Sequence, residues 1–182
     1  MEIKRRQEPP LGRASPYVLE VAAVIVLMGV TGVGKTTVGR LVADHLGIPF
    51  VDADDFHDPK HIEHMRRGEP LDDEARAPWL KQLNAELKEH VDTDVAMACS
   101  ALKQTDRTKL TRGIEGVQFV VLSGAPDLLR ERISARRDHY APASLLPSQL
   151  EDLEIPTDAI IIGVDREPAA VAAKVIVALG LA

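Results

Sequence analysis

The stretch "GVTGVGKT", Gly29 to Thr36, lies between an apolar run and a helix-forming segment. It matches the spacing G-x-x-x-x-G-K-[ST] through Gly29, Gly34, Lys35 and Thr36. A loop of this kind works only where a strand delivers it and a helix leaves it. The glycines let the backbone turn its N–H groups towards an anion, and the positive end of the helix dipole adds to the attraction. Lysine in that place reaches β- and γ-phosphates, and the threonine hydroxyl is placed for Mg²⁺. The loop is therefore expected to hold a nucleoside triphosphate, ATP first among them, through Gly29, Thr31, Gly32, Val33, Gly34, Lys35, Thr36 and Thr37.

The flanks extend that constraint to the whole chain. Val21–Met28 is apolar and rich in β-branched residues, as a buried parallel strand requires. Val38, Leu41 and Val42 recur at helical spacing over about 35–46, and Gly47 supplies a stop. "IPFVDADD" reads as a second strand ending in acids, "DVAMACSAL" as a third, "VQFVVLSG" as a fourth and "DAIIIGV" as a fifth. Helices are expected over 59–67 and 73–90, after Pro126, and after "REP". Strands and helices alternating with short connections predict a doubly wound α/β sheet.

The chain has 182 residues, enough for one domain with a sizeable core. A net charge of −6 argues against a broad basic face for nucleic acid. The single cysteine, Cys99, forbids an intramolecular disulfide and suits a cytoplasmic protein; ending an apolar run, it reads as an inert core residue. No apolar stretch reaches the roughly 18 residues of a membrane span. Lys4, Arg5 and Arg6 precede an apolar run, but Pro9, Pro10, Gly12 and Pro16 separate them from it, so residues 1–18 are expected to be a flexible extension and 19–182 a single domain.

Several residues would meet the phosphate loop at the carboxyl ends of the strands, where ligands bind in such sheets. Asp52 and Asp54 could orient an attacking hydroxyl, accept its proton, or hold magnesium through water, whereas Asp55 reads as part of a solvated turn. If both of the first two lie on extended backbone, their side chains share a face. Arg66 and Arg76 suit a substrate anion, while Arg67 fits a surface ion pair with Glu63. Ser100 and Lys103 follow the third strand, Trp79 reads as core, and Arg130, Arg132, Arg136 and Arg137 form a basic cluster before a Pro-containing loop, as in a lid.

Together these motifs resemble the gluconate kinases of the small P-loop type, which are similar to shikimate and nucleoside-monophosphate kinases. The likeness rests on "MGVTGVGKTTV", "DADDFHDPKHIEHMRRGEPLDDEARAPWL", "ACSALK" and "LLPSQLEDLEIP", in that order, over about 23–182. It implies a five-stranded parallel sheet in the order 2-3-1-4-5 with helices on both faces and a mobile lid. It also implies ATP-dependent, magnesium-assisted phosphorylation of the 6-hydroxyl of D-gluconate by a homodimer. By position, Lys35, Asp54 and Arg136 would be catalytic, with Asp54 taking the substrate hydroxyl. Thr36 would hold the metal, with Asp52 acting through water; His57, Arg66, Arg76 and Lys103 would surround gluconate; Arg132 and Arg136 would meet ATP. The chain departs from the family pattern at His61, His64, Asp138 and Tyr140, and lacks the usual Tyr before Arg107. A kinase for another small hydroxy acid such as shikimate is the alternative, but "CSALKQTD" has no glycine-rich stretch after the third strand. A nucleotide-binding regulator without transfer is a third reading, opposed by the intact Lys35, Thr36 and Asp54.

Overall fold

The computed structural model describes residues 24–90, 92–135 and 141–182. The extension expected over 1–18, together with Arg136, Arg137, Asp138 and Tyr140, lies outside the described residues.

Strand β1 (Val24–Met28) is buried along its whole length, and its alternating side chains supply both cores. Ile25 and Leu27 pack with Val38, Val42, Leu129 and Val175; Val24 and Val26 pack with Trp79, Leu80, Leu83 and Met97. These faces belong to α1 (Lys35–Leu46), α5 (Pro126–Ala135) and α7 (Pro168–Ala178) on one side, and α3 (Asp73–Lys88) on the other. Fully burying one such Val or Leu side chain is worth about 1.5–3 kcal/mol. The sheet is completed by β2 (Phe50–Asp52), β3 (Val95–Cys99), β4 (Val117–Ser123) and β5 (Ile160–Gly163). All neighbouring pairs are parallel, in the order β2-β3-β1-β4-β5. In register, Met28 stands between Cys99 and Val121, so the loop after β1 emerges where the strand order reverses.

Local chemistry sets the element ends. Gly47 closes α1 with a left-handed φ of 68°. Asp58 caps α2 (Pro59–Arg66) through the Lys60 N–H at 2.8 Å, and Asp72 caps α3 through the Ala75 N–H at 2.8 Å. The helices α2 and α3 stop one or two residues before their expected ends.

Two expectations need correction. The second strand does not run through its acids: it ends at Asp52, and Ala53–Phe56 form a 3-10 turn. The Asp52 carboxylate accepts the Asp54 N–H at 3.1 Å, so the side chain caps the turn instead of leaving the backbone extended. Asp52 and Asp54 therefore do not share a strand face. The helices α4 (Gln104–Leu110) and α6 (Leu146–Asp152), each of seven residues, were not expected; both are too short to show a helical period.

Candidate active site

The loop from Gly29 to Thr36 joins β1 to α1 and depends on glycine at two points. Gly29 has φ 143°, and a Cβ there would lie 2.6 Å from the Leu122 carbonyl oxygen of β4. Gly32 has φ 82°, and its Cβ would meet the Ile133 side chain of α5 at 2.7 Å. Both side chains would be forced against packed neighbours, so the loop closes down on the sheet only because they are missing. Gly34, at the N-cap of α1, has no side-chain cap, and no acid occupies the first turn, which leaves the helix amides directed at the cleft. The Lys35 Nζ donates to the carbonyls of Gly29 (3.0 Å) and Val30 (3.2 Å). The Val33 side chain is core, so only its backbone can serve a ligand. The Thr31 N–H donates to Gln149 Oε1 of α6 at 2.6 Å.

Gly32, Gly34, Lys35, Thr36, Asp54 and His57 line one cleft. The Asp52 carboxylate accepts a hydrogen bond from Thr36, which lowers its pKa, but burial is the larger effect and pushes it above the usual carboxylate range. This donor set fits a magnesium ion. Such an ion takes one or two protein oxygens and completes its shell with phosphate and water. Among the described residues there is no cluster of three or more His, Cys, Asp or Glu that would build a closed metal cage. His57 stacks on Trp79 with ring centroids 4.6 Å apart, and the Trp79 Nε1–H donates to the Ala53 carbonyl at 2.8 Å. One tryptophan thus fixes both the acid-bearing turn and the imidazole. Burial pulls the His57 pKa down, with Asp54 opposing.

A second hollow shares His57, Ser100 and Gln149 with the first and is walled further by Arg76, Trp79 and Asp152. The Arg76 side chain is 13% exposed and lies 2.6 Å from Asp73 and 3.4 Å from Asp106. Lys103 joins the same group, 3.3 Å from Asp73 and 3.5 Å from Asp152. Arg76 first, and then Lys103, hold the Asp73 carboxyl below its ordinary range. Arg66 is not brought to either hollow; it lies exposed on α2, 3.6 Å from Glu63. Arg67 is a surface ion-pair residue, but its partner is Glu69 at 3.3 Å, because Glu63 is taken by the residue one place earlier.

On the other side of the loop, a cleft is lined by Gly32, Gly34, Thr37, Arg132, Arg166 and Pro168. The Arg132 Nη2 donates to the Val164 carbonyl at 2.8 Å, which fixes it against the end of β5. Arg130 points away and pairs with the exposed Asp127. Cys99 is buried, and its thiol is pushed up to about 12, so it is not a nucleophile.

Asp106, Gln149, Asp152 and Arg166 join these hollows or their charged walls without having been marked as site residues by the sequence. The signal for Gln149 and Asp152 was the motif "LLPSQLEDLEIP", which carries α6. The signal for Asp106 was its place before Arg107, where the resembling family has Tyr.

The shikimate kinase family model matches residues 31–178. A probable gluconokinase of Dictyostelium discoideum is 42% identical over 146 residues, covering 76% of this chain and 73% of its own length. The thermoresistant gluconokinase of Escherichia coli K12 is 36% identical over 159 residues, covering 84% of this chain and 91% of its own. The chain belongs to the gluconokinase family. A solved gluconokinase structure from Sinorhizobium meliloti 1021 superposes with a TM-score of 0.78 at 36% identity, over 88% of this chain and 93% of that one. A shikimate kinase from Bacteroides thetaiotaomicron, at 19% identity and TM-score 0.64 over 87% of this chain and 99% of its own, shares the fold. Membership of this family makes the protein a P-loop kinase and carries the use of ATP with it. Among the described residues, no helix is long and apolar enough to cross a membrane.

Proposed function

We propose that this gluconokinase-family protein transfers the γ-phosphoryl group of ATP to the 6-hydroxyl of D-gluconate, giving 6-phospho-D-gluconate and ADP. The observation that carries this reading is that the phosphate cleft shares His57, Ser100 and Gln149 with a hollow walled by Arg76, to which Lys103 is joined through Asp73. A guanidinium with an ammonium beside it matches a small acid's carboxylate, and a fork-like arginine contact fixes its direction.

In this reading the loop amides of Gly32 to Thr36 and the Lys35 ammonium hold the β- and γ-phosphates. Thr36 and Asp52 hold magnesium, Asp52 through its water shell. When bound, the ion neutralises charge developing on the phosphate oxygens. Thr37 and Arg132 flank the nucleotide from the far cleft. Asp54 faces the acceptor, aligns its hydroxyl and takes the proton late, since a loose transition state needs little prior deprotonation. His57, neutral and braced on Trp79, is placed to accept or donate one hydrogen bond to the sugar acid. Arg136 closes from the lid in the same proposal. A homodimer acting in the cytoplasm completes the reading.

ADP release measured with ATP and magnesium, with gluconate, with shikimate and with neither, tests it. Acceleration by gluconate alone is expected. Acceleration by shikimate instead would transfer the activity to the alternative acceptor, and equal slow hydrolysis in all three would remove the kinase reading. Light scattering on the eluted protein tests the dimer.

A further inference from the structure

Gln149 of α6 reaches the phosphate loop, and its amide is oriented without ambiguity. A backbone N–H only donates, so the bond from the Thr31 N–H at 2.6 Å requires the oxygen end of the amide to face the loop. The NH₂ end is thereby turned away from Thr31, and among the described residues it has no hydrogen-bond partner. Gln149 lines both the phosphate cleft, with Lys35, Thr36 and Asp54, and the acceptor hollow, with Arg76 and Asp152. Beside it the Thr31 hydroxyl, on a residue only 5% exposed, is also without a partner. The buried Thr31 hydroxyl left unused costs free energy unless a partner comes to meet it, while the partly exposed Gln149 amide protons beside it remain available to acceptor oxygens.

The mounting is firm at both ends. Leu145 and Leu146, at the start of α6, are buried in two different clusters. At its far end, Glu154 accepts the Gln104 N–H at 2.6 Å and gives its own N–H to Leu102 at 3.1 Å. The helix that carries Gln149 is thus tied to the segment that carries Lys103.

We propose that Gln149 contacts the phosphoryl group in transit, its Oε1 held by Thr31 and its Nε2 donating to a γ-phosphoryl oxygen. The acceptor oxygen forms its bond to phosphorus as the bond to the β,γ-bridging oxygen breaks, and that electron pair leaves with ADP. The acceptor proton passes to Asp54, and Gln149 neither gains nor loses one. The proposal rests on the phosphoryl-transfer reading of the cleft but not on which hydroxy acid accepts.

Two variants test it. Gln149→Glu keeps an oxygen for the Thr31 N–H and replaces the donor by a negative charge, whereas Gln149→Leu removes both contacts at similar volume. Calorimetry with ADP and with the β,γ-imido analogue of ATP reads the γ-phosphate separately, and kcat with gluconate reads the transfer. Gln149→Glu is expected to bind ADP about as the parent does, to bind the analogue about tenfold or more weakly, and to lose about a hundredfold in kcat. Gln149→Leu is expected to lose kcat by more than it loses ADP affinity. Equal weakening of ADP and analogue would make Gln149 a loop support only and overturn the proposal. Analogue binding and kcat within about threefold of the parent in either variant would overturn it too. If the parent itself ignored gluconate, the acceptor assignment would fail while the two nucleotide arms still decided the role of Gln149.

Discussion

The Asp106 carboxylate lies 3.4 Å from the Arg76 guanidinium, with a side chain only 1% exposed. Neither of its oxygens has a hydrogen-bond partner among the described residues. Burial is the largest influence and raises its pKa above 3.8, with Arg76 opposing. The folded protein therefore holds this proton more tightly than the unfolded chain does. Its stabilising effect is full below pH 3.8 and is lost as pH rises through the folded pKa. Asp106→Asn cannot titrate, so the variant should gain on the parent as pH rises from about 4 to about 7. Melting both across that range measures it, and a Tm difference that does not change with pH would refute it.

Arg76→Ala is expected to weaken gluconate binding far more than ATP binding, by about 1.5–3 kcal/mol for one lost charge-assisted contact. It should also lower stability, since Asp106 would be left buried without its cation. Calorimetry with each ligand separates the two effects. Equal loss for both ligands would place Arg76 in a purely supporting role.

Lys35→Met should fold and yet transfer almost nothing. The ammonium is held over the loop by the Gly29 and Val30 carbonyls, and the methionine stem has the length but not the charge. A drop in kcat of about 10²–10³-fold is expected from steady-state rates on the folded variant. Activity within a few-fold of the parent would show that the charge is not used.

The acids of the turn are expected to divide their work. Asp52 is bonded to the Thr36 hydroxyl, while Asp54, two residues past the end of β2, lines the cleft. Asp52→Asn is expected to raise the magnesium concentration giving half activity. Asp54→Asn is expected to lower kcat with magnesium demand unchanged. A magnesium titration of rate at saturating gluconate distinguishes them, and rescue of Asp54→Asn by excess magnesium would reverse the assignment.

Gly32→Ala is expected to cost about 1–3 kcal/mol in backbone strain alone, before the 2.7 Å encounter with Ile133 is counted. Thermal melting and nucleotide binding on the same sample would read the strain and the displaced loop together. An unchanged Tm with normal nucleotide binding would contradict the packing described for α5.

Much of this architecture was legible because its signals are local. The glycine spacing, the β-branched run before it and the helical period after it all lie within one short stretch, and α1 spans the expected 35–46. The acids of β2 were placed at the right end of the right strand, but their backbone was not, since a side-chain cap at Asp52 overrode extension and no periodicity reports that. The sequence suggests a substrate role for Arg66 and a Glu63 pair for Arg67, and the structure gives Glu63 to Arg66 instead. Only the rotation of α2 decides that Glu63 pairs with Arg66 and Glu69 with Arg67. The motif "LLPSQLEDLEIP" marked the segment of Gln149 but not its contact, because the partner is 118 residues away and an amide side chain carries no mark of a distant hydrogen bond.

The brace formed by Trp79 has a consequence for observation. The chain has no other indole, and this ring is stacked on His57 while its N–H is committed to the acid-bearing turn. Indole emission from the whole protein is therefore emission from the wall of the hollow that adjoins the phosphate cleft. A ligand that enters either hollow and displaces the His57 ring is expected to change that emission. The protein carries its own dye beside the proposed meeting point of the two substrates.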